Sequence, residues 1–192
     1  TIGASIGVAM APTDGDDAET LLQRADLALR KAKEKTRGYF ALFKAGMDER
    51  VHERARFEHD LWLAVSNDEI EPWFLPVARL SDNKVCGYEI VARWRHAGRG
   101  LIEPGQFVPV AEGADLVEEL TLNVLRRACR EAADWWGAPH LSINISPLML
   151  QDEFLPIKIL KILDETGFVA GRLEIELTET ALGSDFEAAR TI

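Results

Sequence analysis

Three segments of this chain alternate strictly between apolar and polar residues, and each is separated from the next by a stretch of helical periodicity. Successive side chains of a strand point to opposite faces, so parity divides each segment in two. In 84–95, Cys86, Tyr88, Ile90, Ala92 and Trp94 share one face, while Val85, Gly87, Glu89, Val91 and Arg93 share the other. In 141–146, Leu141, Ile143 and Ile145 oppose Ser142, Asn144 and Ser146. In 172–179, Leu173, Ile175 and Leu177 oppose Glu174, Glu176 and Thr178. Helical patterns over 117–136 and 153–166 connect these strands, which implies right-handed crossovers and a parallel sheet. A parallel sheet is normally covered on both sides and apolar throughout. Carboxylates on a covered face are costly unless they line a wet lumen or bind a cation. Closure into a barrel removes the conflict, with apolar faces turned onto the helices and polar residues inside, near the C-terminal strand ends. The competing reading is an antiparallel sheet with one solvated face, on which Glu89, Asn144 and Glu176 are ordinary surface residues; the intervening helices weigh against it.

The remaining pattern supplies the setting. A strand over 71–79, a turn at 81–83 and the strand over 84–95 form an initial hairpin, giving the order β-β-α-β-α-β-α for residues 69–192. Upstream, Thr1 to Val8 reads as a strand, and Pro12-Thr13-Asp14-Gly15 as a turn. Asp16 with Glu19 resembles a capping box that opens an amphipathic helix through Lys35. Tyr39 to Phe43 reads as a short strand, closing a first region at 1–45. A charge-rich connecting helix occupies 46–68, with Phe57, Leu61, Ala64 and Val65 as its apolar stripe. The chain starts inside a strand pattern and stops at Ile192 inside a helical one, so both ends are expected to be cuts.

A formal net charge of −10 disfavours non-specific binding to DNA, RNA or anionic membrane, since the summed field repels polyanions. A small anion held by one arginine or a metal is still allowed. Cys86 and Cys129 have no metal-ligand spacing and are expected to be reduced core residues. No run reaches the roughly 18 apolar residues of a membrane span, and no signal-peptide pattern opens the chain, so a cytoplasmic location is expected.

Glu89, Asn144 and Glu176 offer two carboxylates and an amide. All three are oxygen donors, which suit Mg²⁺ or Mn²⁺ rather than zinc. Such an ion polarises phosphoryl oxygens and lowers the pKa of bound water, so spacing alone points to metal-dependent phosphate chemistry. Arg93, on the Glu89 face about 13 Å further along the strand, has two readings: a phosphate fork or a salt bridge to Glu89 or a neighbouring acid.

Gly87-Tyr88-Glu89-Ile90-Val91-Ala92-Arg93-Trp94-Arg95-His96 resembles the signature strand G-x-E-A-L-x-R-W-x-H of EAL domains. The likeness continues in order. Pro104-Gly105-Gln106-Phe107-Val108-Pro109-Val110-Ala111-Glu112 is similar to P-x-x-F-I-P-x-A-E, Asn144-Ile145-Ser146 to N-x-S, and Glu176-Leu177-Thr178-Glu179 to E-x-T-E. Ala4 to Ala9 and Ala25 to Lys33 resemble the segment after the signature hairpin of GGDEF domains. The resemblance implies an α/β fold: a partial modified TIM (β/α) barrel of EAL type over 69–192, preceded by the end of a GGDEF-type α/β domain. It implies a bacterial signalling protein whose parent hydrolyses cyclic di-GMP to pGpG with Mg²⁺ or Mn²⁺. Glu89, Asn144 and Glu176 would be metal ligands, with Glu89 and Glu176 catalytic, and Arg93 would contact a substrate phosphate. His96 would support the strand end.

The departures carry their own expectations. Leu75-Pro76 stands where the family has Gln-Pro, which removes an amide from the substrate site, and Ile90-Val91 replaces Ala-Leu. Arg30 and Thr36 stand where Tyr and Gly are usual in the GGDEF segment, whose signature hairpin is missing. The family's adjacent aspartates, its lysine and its later Glu and Gln do not occur before Ile192, so the fragment alone is expected to be inactive. The alternative from these departures is a degenerate receptor or interaction module that does not hydrolyse the nucleotide. Unpaired edges of a half barrel predict self-association, as a homodimer or otherwise.

Overall fold

The computed structural model of the chain describes residues 4–35 and 38–177. The expected Thr36 departure, Thr178-Glu179 of the last motif and the helix start before Ile192 lie outside the described residues. Contacts divide the chain into two compact units, Thr1–Phe57 and Glu58–Ile192.

In the first unit, β1 (Ile6–Val8) pairs in parallel with β2 (Phe40–Leu42), and α1 (Ala18–Lys35) connects them. The α1 cap is Asp17, one residue beyond the expected Asp16. Its carboxylate accepts from the Thr20 N–H at 2.9 Å and from the Thr20 hydroxyl at 2.6 Å, satisfying an N–H with no partner inside the helix. Those bonds, the hydroxyl's first, hold the Asp17 carboxyl below its usual range. β1 lies directly on α1: a Cβ at Gly7 would stand 2.0 Å from the Ala25 carbonyl oxygen, so no larger residue fits there. Ala28, Phe43 and Met47 form the buried centre of this unit. The next helix, α2 (Met47–Ser66), runs on through the boundary and buries Leu61, Ala64 and Val65 in the second unit.

The second unit continues with β3 (Ile70–Ala78), β4 (Val85–His96), β5 (Gly100–Ile102), α3 (Pro104–Gly113), α4 (Val117–Ala132), β6 (His140–Ile145), α5 (Leu155–Thr166) and β7 (Leu173–Leu177). Short 3₁₀ helices span Pro147–Gln151 and Ala170–Arg172. The sheet order is β3-β4-β6-β7, with β5 attached to β4. β3 and β5 run antiparallel to β4, whereas β4, β6 and β7 are mutually parallel. The parallel pairing removes the antiparallel, one-face-solvated alternative for the three alternating strands.

In β4 and β6 the apolar parity set supplies the packed side chains. Ile90, Trp94, Leu141, Ile143 and Ile145 are all buried. Phe107 of α3, fully buried, meets Trp94 edge-on at 6.1 Å, a contact worth about 0.5–1.5 kcal/mol beyond the area it buries. Asn123 and Arg127 of α4 donate to the carbonyls of Val65, Asp68 and Ile70, at 3.3, 2.6 and 3.0 Å, tying α4 to the start of β3.

Three elements depart from the sequence reading. β5 and α3 lie between β4 and α4 where only a connection was expected. α4 also ends at Ala132 rather than at residue 136. Trp135 leaves the helix to pack edge-on against Phe74 and Tyr88, with ring centroids 4.7 and 5.2 Å away. The buried Arg172 guanidinium then donates to the carbonyls of Ala132, Ala133 and Pro139, and stacks over Phe168. A tertiary cation thus closes the end of α4, at the pole where helix carbonyls favour positive charge.

Candidate active site

Glu89, Asn144 and Glu176 of the polar parity set lie near the C-terminal ends of the parallel ladders that join β4, β6 and β7. Glu89 pairs with Ser142 in the β4–β6 register, and Asn144 with Glu176 in the β6–β7 register. The Asn144 side-chain amide donates to a Glu89 carboxylate oxygen at 2.8 Å. Glu89 and Asn144 are therefore in direct contact, and Glu176 is the neighbour of Asn144 across the strand pair. Gly87 permits this approach of β4 and β6. A Cβ there would stand 2.8 Å from the His140 carbonyl oxygen.

Leu75 faces Glu89 across the β3–β4 ladder and is 47% exposed, so an apolar side chain shares the open face with the carboxylate. Arg93 stands further along β4. It makes no bond to Glu89: its guanidinium lies over the Trp73 ring, 5.6 Å from the centroid, and donates to the Ala92 carbonyl at 3.1 Å. The neighbouring acid Glu71 is instead bound to Arg95 at 3.1 Å, which lowers the Glu71 carboxyl. The salt-bridge reading of Arg93 is thus not what the structure shows. Trp73 gives no local signal of a site, since its strand, β3, is largely apolar on both faces. The odd positions of β3, Glu71, Trp73, Leu75 and Val77, extend the open face.

The register between β4 and β6 ends at Ile90 and Ile143. There a cavity of about 440 Å³ opens, with Glu89, Asn144, Ser146 and Glu112 among its polar lining and Val108, Leu120 and Val124 among its apolar lining. The Ser146 hydroxyl donates to a Glu112 carboxylate oxygen at 2.7 Å and accepts from the Leu148 N–H at 3.3 Å. In the sequence Ser146 shows as a member of the polar parity set and of a motif, and Glu112 as the last residue of a motif.

His96, at the end of β4, accepts at Nδ1 from the N–H groups of Gly98 and Arg99, at 3.0 and 3.2 Å. Its Nε2 therefore carries the proton, 3.3 Å from an Asp60 carboxylate oxygen of α2. That arrangement fits a support for the strand end rather than a proton shuttle.

Among the described residues, no three His, Cys, Asp or Glu side chains cluster as a ready-made metal cage. Glu89, Asn144 and Glu176 carry oxygen donors, the type of ligand atom that suits a hard cation. No helix among the described residues is long and apolar enough to cross a membrane.

Comparison with known proteins bears on the fold that carries this face. Residues 58–192 match the EAL domain family, and residues 1–39 match the diguanylate cyclase GGDEF domain family. A signalling protein of Caulobacter vibrioides is 42% identical over 98% of this chain, which spans 23% of that relative. The cyclic di-GMP phosphodiesterase NbdA of Pseudomonas aeruginosa is 33% identical over 93% of the chain, again spanning 23% of the relative. The structure of the PaMucR phosphodiesterase in complex with c-di-GMP superposes with a TM-score of 0.66 at 28% identity, covering 70% of this chain and 56% of that one. The family match over 58–192 takes in every strand and helix that builds the open polar face. The chain belongs to the EAL domain family.

Proposed function

We propose that the protein carrying this chain hydrolyses cyclic di-GMP to linear pGpG at a Mg²⁺ or Mn²⁺ site to which Glu89, Asn144 and Glu176 contribute oxygen ligands. The observation that carries the reading is the side-by-side placement of these three on adjacent parallel strands, with Asn144 bonded to Glu89 at 2.8 Å. When bound, such an ion supplies Lewis-acid polarisation of a phosphoryl oxygen and an activated water. Glu89 and Glu176 provide the negative charge that holds a divalent cation, and the Asn144 amide oxygen adds a neutral donor. Arg93, held over Trp73 and free of any bond to Glu89, orients a phosphate on the same face. A net charge of −10 makes this local cation the element that accepts an anionic substrate on an otherwise repelling chain. The reading includes self-association through the sheet edge and a cytoplasmic setting, in which Cys86 and Cys129 stay reduced.

The test is hydrolysis of cyclic di-GMP by the full-length protein with Mg²⁺ or Mn²⁺, followed by chromatography of the nucleotide products. The wild type is expected to release pGpG, and Glu89→Gln to lose at least about 10²-fold in rate, the scale of losing a directly charged group at a reacting centre. A wild type that leaves the substrate intact overturns the reading.

Leu75 motivates a second reading, in which the protein binds cyclic di-GMP without turnover, because an apolar side chain faces Glu89 where an amide was expected. Nucleotide binding by calorimetry without product, together with turnover gained on Leu75→Gln, would favour it.

A further inference from the structure

Asn144 occupies an exposed position on the lattice of the sheet. On its β7 side the pairing continues through Ile145 and Leu177, but on its β4 side the register has already ended at Ile143. One flank of the residue is therefore not fixed by backbone pairing to β4. Two residues later, the Ser146 hydroxyl donates to Glu112 at 2.7 Å and accepts from the Leu148 N–H, so it uses both of its roles in fixed directions. Glu112 sits near the end of α3, a helix pinned by Phe107 and Ala111, both fully buried. The carboxylate is thus a point on a rigid element, and it reaches the turn immediately after Asn144.

We propose that Glu112 is a positioning residue which, acting through Ser146, sets the strand end that carries Asn144 and so the geometry of Asn144 against Glu89. This rests on the reading of Asn144 as a metal ligand. The physical reason is tolerance: ligands must be held within about 0.5 Å, and the groups behind them typically control about 10–100-fold in metal affinity. A tether on α3 supplies, from the far side of the cavity, a restraint that the β4–β6 ladder does not extend to Asn144. The Glu112 side chain needs only to accept a hydrogen bond, so its charge is dispensable and its acceptor is not.

The test uses the full-length protein with selective ¹⁵N labelling of asparagine, and Mn²⁺ titrated by electron paramagnetic resonance. Glu112→Ala and Ser146→Ala are each expected to shift the Asn144 side-chain amide resonance and to weaken Mn²⁺ binding about 10–100-fold. The double variant is expected to be no worse than the weaker single, because both act through one bond. Glu112→Gln, whose amide oxygen still accepts from Ser146, is expected to behave as wild type in both readouts. An unshifted Asn144 resonance in Glu112→Ala, or losses in the two singles that simply add, overturns the proposal. The amide resonance is read without metal or substrate, so it judges Glu112 even where the wild type proves not to bind Mn²⁺ or not to hydrolyse cyclic di-GMP. Thermal midpoints of all variants are measured alongside. Should Glu112→Ala not fold, the comparison of Ser146→Ala with Glu112→Gln carries the same decision.

Discussion

Lys158 of α5 shows how a single side chain ties connections together near this site. Its ammonium binds Asp152 at 2.8 Å and also binds Glu118 of α4. Hydrogen bonding to Asp152 first, then to Glu118, raises Lys158 above its ordinary 10.5, and the same ammonium lowers Asp152 below 3.8. The signs define a window. Stability from the depressed Asp152 is present above about pH 4 and lost as pH falls through its folded value; stability from the raised Lys158 is present below about pH 10 and lost as pH rises through its own. Lys158→Met is therefore expected to lower the thermal midpoint by a constant amount between about pH 5 and pH 9, and the difference from wild type should shrink below about pH 4. A difference that persists unchanged at pH 2.5 in a thermal scan contradicts the assignment. Cys129 belongs to the same scale. Burial pushes its thiol up to about 12, against a smaller opposing effect of Arg172, so it is an inert core residue as expected, whereas Cys86 is only partly buried.

Elements explain where the sequence was legible. Strands β4, β6 and β7 were readable because parity is a purely local consequence of backbone geometry, and one buried face enforces register. α3 was not readable. Its ten residues contain Pro109, which removes a backbone donor inside the helix, and the first turn carries no acidic residue or side-chain cap. Packing of Phe107 and Ala111, not propensity, makes it a helix. β5, with three residues, is too short to show a period. The boundary of α4 was missed because a side chain some forty residues downstream, Arg172, closes it. At this scale the close approach of β4 and β6 is testable. Gly87→Ala places a Cβ 2.8 Å from a backbone oxygen, which cannot rotate away. It is expected to cost about 1–3 kcal/mol by overpacking, measured by urea unfolding, and to separate Glu89 from Asn144. A variant as stable as wild type would mean that the strands spread without cost.

For the whole molecule, the sheet edge is the exposed consequence of the topology. Among the described residues β7 pairs on one side alone, with β6, and its Ile175 is 40% exposed. Such an edge templates further pairing. The isolated 192-residue chain is expected to show concentration-dependent mass by size-exclusion chromatography with light scattering. Ile175→Lys, which places a charge on that edge strand, is expected to reduce the association. A constant monomer mass across a hundredfold range of concentration contradicts this. The sequence by itself determined the alternation that divides apolar from polar faces, the three oxygen-donor residues and the net charge of −10, because each is fixed by residue type and nearest-neighbour geometry. Only the tertiary structure decided that Asn144 touches Glu89, that Arg93 rests on Trp73 rather than on an acid, and that Glu112 reaches Ser146. Those contacts join residues far apart in the chain, and their distances follow from strand register and helix packing rather than from any local period.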